Sequence, residues 1–167
     1  LRCLWCQNPE SQNPAPQLLF YTAKCISCGT CAAICPQSAI CWRPGEKPVT
    51  NRAGCTACGA CIAPCPGKAR EIVGRLVSAG EVLADVTRDK VFFDGSGGGM
   101  TVSGGEPLMQ PKFTRALLSL AKDAGIHTAV ESCMYASEEV MARALEPVDL
   151  VLCDIKHMDS TVHQHLT

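Results

Sequence analysis

The 167-residue sequence lacks a strong excess of charge of either sign, and it also lacks a long apolar run. The formal net charge of −1 argues against a nucleic acid or an anionic membrane as partner, since both usually select a basic surface. No apolar stretch approaches the roughly 18 residues of a transmembrane helix, and no signal peptide is visible. With 47% hydrophobic and 19% charged residues, the sequence predicts a folded chain of one domain with a small insert.

Cysteine is the residue type that stands out, with 13 in the chain. A disulfide-rich secreted fold and metal clusters in a reducing compartment both explain so many thiols. The odd count weakens the disulfide reading. The spacing favours metal clusters, and so predicts a cytoplasmic protein.

Two segments repeat the pattern C-x2-C-x2-C-x3-C-P at an offset of 30 residues, reading CISCGTCAAICP at 25–36 and CTACGACIAPCP at 55–66. The pattern resembles that of two-cluster bacterial ferredoxins, in which the fourth cysteine of each run binds the other run's [4Fe–4S] cluster. Zinc sites instead separate C-x2-C pairs by a longer stretch. The predicted ligands are Cys25, Cys28, Cys31 and Cys65 for one cluster, and Cys55, Cys58, Cys61 and Cys35 for the other. Gly29 and Gly59 would let the backbone curl around the cluster sulfides.

The sequence after residue 71 predicts alternating strands and helices. The strands are apolar runs without alternation, which is typical of a parallel sheet covered on both faces. The class is therefore α/β with a parallel sheet. The predicted strands are 100–103, 126–132 and 149–156, and the predicted helices are 79–90, 111–124 and 138–145, with a further helix starting at Asp159.

Each of the three predicted strands is followed by polar residues or glycines. Because chemistry in such sheets lies beyond the carboxyl ends of the strands, these segments are expected at one rim. They are Gly104-Gly105-Glu106, Glu131-Ser132 and Asp154-Ile155-Lys156.

Several segments together resemble the glycyl-radical-enzyme activating enzymes of the radical S-adenosylmethionine (SAM) superfamily. LRCLWCQNPE is similar to the end of the motif C-x3-C-x2-C, TVSGGEPLMQ to the SAM-binding GGE segment, and DLVLCDIKHMD to a later family segment. The resemblance is to the branch with a two-cluster insert. It implies a partial (β/α)6-type radical SAM barrel, truncated at both ends and marginal in stability when isolated. The implied domains are 1–20 (start of the barrel), 21–70 (ferredoxin-like insert) and 71–167 (barrel continued).

The resemblance also implies a cofactor site and an activity. Cys3 and Cys6 would hold a third [4Fe–4S] cluster with a cysteine preceding residue 1, leaving one iron for SAM. Reductive cleavage of SAM would give a 5′-deoxyadenosyl radical that removes hydrogen from a glycine of a partner enzyme. Flavodoxin or ferredoxin would be the reductant. The implied SAM-binding residues are Trp5, Gln7, Gly104, Gly105, Glu106, Glu131, Ser132, Asp154, Ile155 and Lys156.

Other readings of these residues stay open. The chain could belong to a ferredoxin-type electron carrier, or to a radical SAM enzyme acting on a small molecule or peptide. The insert clusters could relay electrons or only stabilise the insert. Glu106 could simply cap a helix, and Asp154 with Lys156 could be a surface pair. Cys41, Cys133 and Cys153 fit packed thiols, and Met134 stands where the family often has glycine.

Overall fold

The computed structural model describes residues 2–167, so that Leu1, the first residue of the predicted 1–20 segment, lies outside the described residues. The chain forms two compact units. Asn13–Arg75 is one of them, called here the insert unit, and residues 2–12 with 76–167 form the other, called here the sheet unit. Among the described residues, no helix combines the length and the apolar character needed to cross a bilayer.

The insert unit consists of short elements joined by cysteine-bearing loops. Strand β1 (Gln17–Phe20) runs antiparallel to β4 (Arg70–Val73), with Gln17 opposite Val73. Strand β2 (Ile40–Cys41) runs antiparallel to β3 (Val49–Thr50). The elements are β1 (Gln17–Phe20), a 3-10 turn (Thr22–Lys24), α1 (Thr30–Ala33), β2 (Ile40–Cys41), β3 (Val49–Thr50) and β4 (Arg70–Val73).

The 30-residue repeat of the sequence is also a repeat of backbone conformation. Left-handed φ angles recur in pairs 30 residues apart, at Ser27 and Ala57, Gly29 and Gly59, and Ser38 and Lys68. Such angles are costly for residues with a side chain, and here three pairs occur at one spacing. The two cysteine runs are therefore two copies of one folded unit.

The core of the insert unit is small and contains two of the repeat cysteines. Leu18, Cys31, Ile40 and Cys61 are buried together. At Gly29 a Cβ would lie 2.5 Å from the Trp42 ring, so this position requires glycine for space as well as for its φ of +77°.

The sheet unit carries a three-stranded parallel sheet whose neighbouring strands are, in order, β5 (Gly99–Val102), β6 (His127–Ser132) and β7 (Leu150–Cys153), with helices between the strands. This confirms the predicted α/β class with a parallel sheet. The elements are α2 (Ala79–Val86), α3 (Lys90–Ser96), β5 (Gly99–Val102), α4 (Pro111–Asp123), β6 (His127–Ser132), α5 (Glu138–Ala144), β7 (Leu150–Cys153) and α6 (Ser160–Leu166), with 3-10 turns at Pro9–Gln12, Thr87–Asp89 and Pro107–Met109. The helix predicted over 79–90 ends instead at Val86, and a 3-10 turn separates it from α3.

Local sequence signals place the helix ends. Ser78 and Glu81 form a capping box, in which the Glu81 N–H donates to Ser78 Oγ (3.2 Å) and the Ser78 N–H donates to Glu81 Oε2 (2.7 Å). Ser137 and Asp159 cap α5 and α6 with their side-chain oxygens. Gly125 follows α4 with a φ of +71°.

The core of the sheet unit lies between the sheet and α4. Leu118 on α4 and Val130 on β6 are fully buried, and Met100, Leu117 and Ile126 surround them. The prediction that the strands are covered on both faces is right for β6 and wrong for β7, whose Leu150 is 48% exposed. Only β6 has a strand on each side among the described residues, and an apolar run does not by itself reveal which strand is central.

Candidate cofactor sites

Two cavities in the insert unit are lined by cysteines taken from both repeats. Cavity A is lined by Cys25, Cys28, Cys31 and Cys65, with Phe20, Pro48 and Arg70 among the other residues. Cavity B is lined by Cys35, Cys55, Cys58 and Cys61, with Leu18 and Ile40 among the others. Both cavities are small and partly open to solvent. Each cavity therefore combines three cysteines of one run with the fourth of the other run.

Backbone N–H groups are directed at the sulfurs around both cavities. The Ala39 N–H donates to Cys35 Sγ and the Ala69 N–H donates to Cys65 Sγ, each at 3.3 Å. The Ser27 N–H donates to Cys25 Sγ at 3.4 Å. Such N–H···S contacts stabilise negative charge on sulfur, which is the charge that a metal-binding thiolate carries.

The free thiols differ in how readily they ionise. Burial raises the pKa of Cys61, and the Arg70 guanidinium partly opposes that shift. The hydroxyl of Thr30, whose oxygen lies 3.3 Å from Cys28 Sγ, lowers the pKa of the exposed Cys28. A buried thiol must lose its proton when it binds metal, so metal binding at Cys61 would release a proton.

Four thiols line each of the two cavities. Among residues 2–167, no three or more His, Cys, Asp or Glu side chains are grouped to hold one metal ion. In a four-iron cube each thiolate binds a different iron, so the four sulfurs surround a volume. Cys41, predicted to be a packed thiol, is instead exposed and lines neither cavity, because it lies at the end of the two-residue strand β2.

At the carboxyl ends of the sheet strands, Glu106 joins two neighbouring segments. Its Oε1 accepts from the Leu108 N–H (2.9 Å) and the Ser132 hydroxyl (2.7 Å). Its Oε2 accepts from the N–H (2.9 Å) and the thiol (3.0 Å) of Cys133. The carboxylate therefore caps the turn after Pro107 and at the same time anchors the end of β6.

Burial and these hydrogen bonds shift the pKa values of both Glu106 and Cys133. Burial alone would raise the pKa of Glu106, but the donors from Cys133, Leu108 and Ser132 outweigh it and hold that pKa below its ordinary value. Burial, reinforced by the neighbouring carboxylate, raises the pKa of Cys133 to about 11. At neutral pH the pair is thus an ionised acid and a neutral thiol. Sequence reasoning missed this role of Cys133, since nothing in the spacing links it to Glu106.

The loop between β5 and Glu106 approaches the segment that carries Cys3 and Cys6. Gly104 has a φ of +120°, and a Cβ on Gly105 would lie 2.9 Å from Ser11 Oγ. Both glycines are therefore required by the local structure, one for its conformation and one for space. Ser11 itself donates to the Asn8 carbonyl at 2.6 Å.

Cys3 and Cys6 lie on a tight turn of the sheet unit, closed by a bond from the Cys6 N–H to the Cys3 carbonyl at 3.0 Å. Both thiols are half-buried. Trp5, between them, is 49% exposed, and Gln7 follows on the surface. The turn is tied to the end of α6, because the Leu4 N–H donates to the Leu166 carbonyl at 3.0 Å.

Asp154, Ile155 and Lys156 follow β7. The expectation that Asp154 and Lys156 point the same way along a strand is wrong in one respect, because β7 ends at Cys153. The two side chains nevertheless meet in an ion pair. Asp154 raises the pKa of Lys156, and the Cys3 and Cys133 thiols add smaller contributions in the same direction. Ile155 and Cys153 are exposed, so the prediction of a packed Cys153 is also wrong.

The remaining rim residues have partners of their own. Glu131 accepts from the Ser103 hydroxyl at 2.8 Å and is exposed. Ser132 is 3% exposed, donates to Glu106 and accepts from the Met134 N–H at 2.9 Å. Glu131 thus leaves carboxylate capacity for a ligand, whereas Ser132 is engaged within the protein.

The family model of the radical SAM superfamily matches residues 1–167, which is the whole chain. The chain belongs to this superfamily. Membership of the radical SAM superfamily implies SAM and a [4Fe–4S] cluster as cofactors. The thiols of Cys3 and Cys6 have the donor chemistry for such a cluster.

Curated radical SAM relatives match the chain over its full length. It is 44% identical to the choline trimethylamine-lyase activating enzyme of Oleidesulfovibrio alaskensis (100% of this chain, 54% of the relative). It is 43% identical to the benzylsuccinate synthase activating enzyme of Thauera aromatica (99% and 51%) and 42% identical to the trans-4-hydroxy-L-proline dehydratase activating enzyme of Clostridioides difficile (100% and 55%). The chain thus spans about half the length of the curated relatives it matches.

A solved structure also resembles part of this radical SAM chain. It is a domain of a pyruvate-formate lyase-activating enzyme from Bacteroides vulgatus, with 43% identity and a TM-score of 0.37. The match covers 41% of this chain and 42% of the other.

Met134 provides a test of backbone strain at the rim of the radical SAM sheet. Its φ of +57° is left-handed, a conformation that costs a non-glycine residue roughly 1–2 kcal/mol. Met134→Gly and Met134→Ala both remove the half-buried side chain, but only glycine relieves the strain. We expect the glycine variant to be more stable than the alanine variant by about 1 kcal/mol in urea unfolding of the full-length protein. Equal stabilities would mean that the loop relaxes around alanine.

Proposed function

We propose that this chain is part of an activating enzyme that reductively cleaves SAM and removes a hydrogen atom from a glycine of a partner glycyl radical enzyme. The observation that carries the proposal is the 40–44% identity, across essentially the whole chain, to relatives that are all named activating enzymes. The rim residues and the two cysteine-lined cavities support it. A ferredoxin-type carrier would have no use for the GGE segment and the rim.

In this proposal, Cys3 and Cys6 hold the SAM-binding [4Fe–4S] cluster. When bound, the reduced cluster and SAM together supply one-electron cleavage of the S–C5′ bond and a carbon radical able to abstract hydrogen. Gly104 and Gly105 allow the backbone to approach the cofactor without a side chain intervening. Glu106 fixes that loop against the end of β6 through its four accepted bonds.

The other rim residues bind and orient SAM. Glu131 presents a carboxylate with free acceptor capacity, and the Asp154–Lys156 pair offers both an acceptor and a cation. Trp5 and Gln7 pack beside the adenine, and Ile155 adds apolar surface. Ser132 acts through Glu106 and is a positioning residue.

The insert unit is the two-cluster ferredoxin-like domain in this proposal. Cavity A holds a [4Fe–4S] cluster through its four cysteines and cavity B holds another through its own four, making three clusters with that at Cys3 and Cys6. Clusters held by these eight cysteines would supply one-electron carriers between the SAM-binding cluster and a reductant, which would be a flavodoxin or a ferredoxin.

The test uses the full-length protein, reconstituted anaerobically with iron and sulfide, then reduced and given SAM. We expect 5′-deoxyadenosine together with a glycyl EPR doublet that forms only when the partner enzyme is present. Cys6→Ser should abolish both products while leaving the insert clusters in place. SAM cleavage without a protein radical would favour a radical SAM enzyme acting on a small molecule or peptide, and absence of cleavage in the intact protein would refute the proposal.

A further inference from the structure

The charge of the chain is divided unevenly between its two units. Residues 13–75 contain seven lysines and arginines against two glutamates, a formal charge of +5 before any cluster is bound. The whole chain has a formal charge of −1, so the remaining residues sum to −6. The near-neutral total therefore conceals a basic insert unit.

Within the insert unit, lysines flank the lining residues of only one of the two cavities. Three exposed lysines are immediate chain neighbours of residues that line cavity A, namely Lys24 beside Cys25, Lys47 beside Pro48 and Lys68 beside Ala69. Among the described residues, none that lines cavity B is a charged Lys, Arg, Asp or Glu, and neither is any immediate chain neighbour of those residues.

Direct contacts bring the three lysines to one place. The Lys47 ammonium donates to the carbonyl of Cys25, next to Lys24. The Gly67 backbone lies so close to the Lys24 carbonyl that a Cβ on Gly67 would collide with it, and Lys68 follows Gly67. Lys24 also stacks on Tyr21, with its Nζ 4.4 Å from the ring centroid. These three lysines define a patch on the rim of cavity A, called here the lysine patch.

Because of the repeat, each charged residue beside cavity A can be compared with the residue at the equivalent position beside cavity B. At an offset of 30 residues, Lys24 corresponds to Gly54 and Lys68 corresponds to Ser38. Lys68 and Ser38 share even their left-handed backbone, with φ angles of +47° and +49°. The two cavities have the same backbone scaffold but different charges at their rims.

The interiors of the two cavities also differ in charge, because a buried arginine lines only cavity A. Arg70 lines cavity A and is 3% exposed, whereas Ile40 occupies the equivalent position in cavity B. Arg70 Nη1 donates to Thr50 Oγ1 at 3.0 Å, and Nη2 has no partner among the described residues. Two carboxylates adjoin these cations in the chain, Glu46 before Lys47 and Glu71 after Arg70, and Glu71 accepts from the Tyr21 hydroxyl at 2.8 Å.

We propose that the lysine patch is the docking surface for an acidic protein that delivers single electrons to the iron–sulfur group in cavity A. The inference rests on the proposed function, in that cavity A must hold a cluster. Cations around a redox site attract an anionic donor and shorten the search for a productive encounter. In the transfer the donor loses one electron and the group in cavity A gains it. Cavity B, whose lining residues and their immediate chain neighbours are uncharged, is not the point of entry.

The test measures how fast a chemically reduced flavodoxin, an acidic one-electron donor, reduces the insert clusters of the full-length reconstituted protein in stopped flow. Lys24→Gln/Lys68→Gln removes two positive charges at cavity A. Ser38→Glu/Gly54→Glu is the matched control, because it changes the charge by the same amount at the equivalent positions of cavity B. We expect the first variant to react about tenfold more slowly at low ionic strength and the second to react as the parent does.

Two further measurements complete the design. The difference in reduction rate between the cavity A variant and the parent should shrink at about 0.5 M salt, because salt then screens charges beyond a few ångströms. Reduced methyl viologen, a small cation, should reduce all three proteins at similar rates, which shows that the clusters are intact. Equal flavodoxin rates for both variants, or a slower rate for the cavity B variant alone, would overturn the proposal. Absence of cluster absorbance in the parent would instead refute the cluster assignment, and with it the proposed role of the insert.

Discussion

Replacing Cys35 and Cys55 together with serine should remove one cluster from the insert, whereas replacing Cys25 and Cys35 together should remove both. The reason is that Cys35 and Cys55 line the same cavity, although they belong to different runs. Cys25 and Cys35 belong to the same run but line different cavities. Double replacements are used because a cluster that loses only one thiolate can persist with a substitute ligand.

The measurement is iron and acid-labile sulfide per chain in the reconstituted full-length protein, with EPR of the reduced state. The Cys35/Cys55 variant should lose about four irons and the Cys25/Cys35 variant about eight. Cys41→Ser is the control, since this exposed thiol lines neither cavity and its removal should leave the iron content unchanged. The opposite ordering of the two double variants would show that each run holds its own cluster.

Glu106→Ala should destabilise the protein by about 2–3 kcal/mol, the largest effect we expect from a single change at the rim. Removing the carboxylate leaves the Ser132 hydroxyl and the Cys133 N–H without their acceptor, and unpaired groups of this kind are costly when they are shielded from water. Glu106→Gln should also destabilise, by about 1–2 kcal/mol, because donors approach both oxygens and an amide presents a donor on one side. The measurement is urea unfolding of the full-length protein.

The same carboxylate makes stability depend on pH. Because the folded-state pKa of Glu106 lies below its ordinary value, its contribution is complete above the unfolded pKa of about 4.3 and is lost as pH falls through the folded value. Glu106→Gln should therefore flatten the fall in stability below about pH 5. Glu131→Gln is the control, because Glu131 is exposed and accepts only one hydrogen bond among the described residues, that from Ser103. An equal effect of both substitutions would mean that general surface charge, rather than the bonds of Glu106, sets the pH dependence.

Features that depend on short-range sequence patterns could be predicted, and those that depend on distant partners could not. The capping box at Ser78 and the stop at Gly125 involve residues within one turn, so their types suffice. The bond between Glu106 and Cys133 joins residues 27 apart, and nothing in either residue type selects the other. The exposure of β7 likewise depends on which strand is central, which the apolar run from Leu150 does not encode.

The cysteine runs are an intermediate case. Their spacing predicts two sets of four thiols because iron–sulfur ligation constrains the loop between ligands, and cavities A and B are lined by those two sets. The spacing does not predict the difference between the cavities. That difference arises at Lys24, Lys68 and Arg70, whose repeat equivalents are Gly54, Ser38 and Ile40, and it has meaning only once the fold shows which cavity each residue borders.

The pairing of β1 with β4 has a consequence for how such a chain could arise and be engineered. Gln17 lies opposite Val73, so the chain enters and leaves the insert unit through adjacent strands of one ribbon. Joining the sequence on either side of that ribbon would need only a short linker, because Gln17 and Val73 are paired on adjacent strands. We therefore expect that residues 17–73 can be deleted or exchanged as one continuous segment.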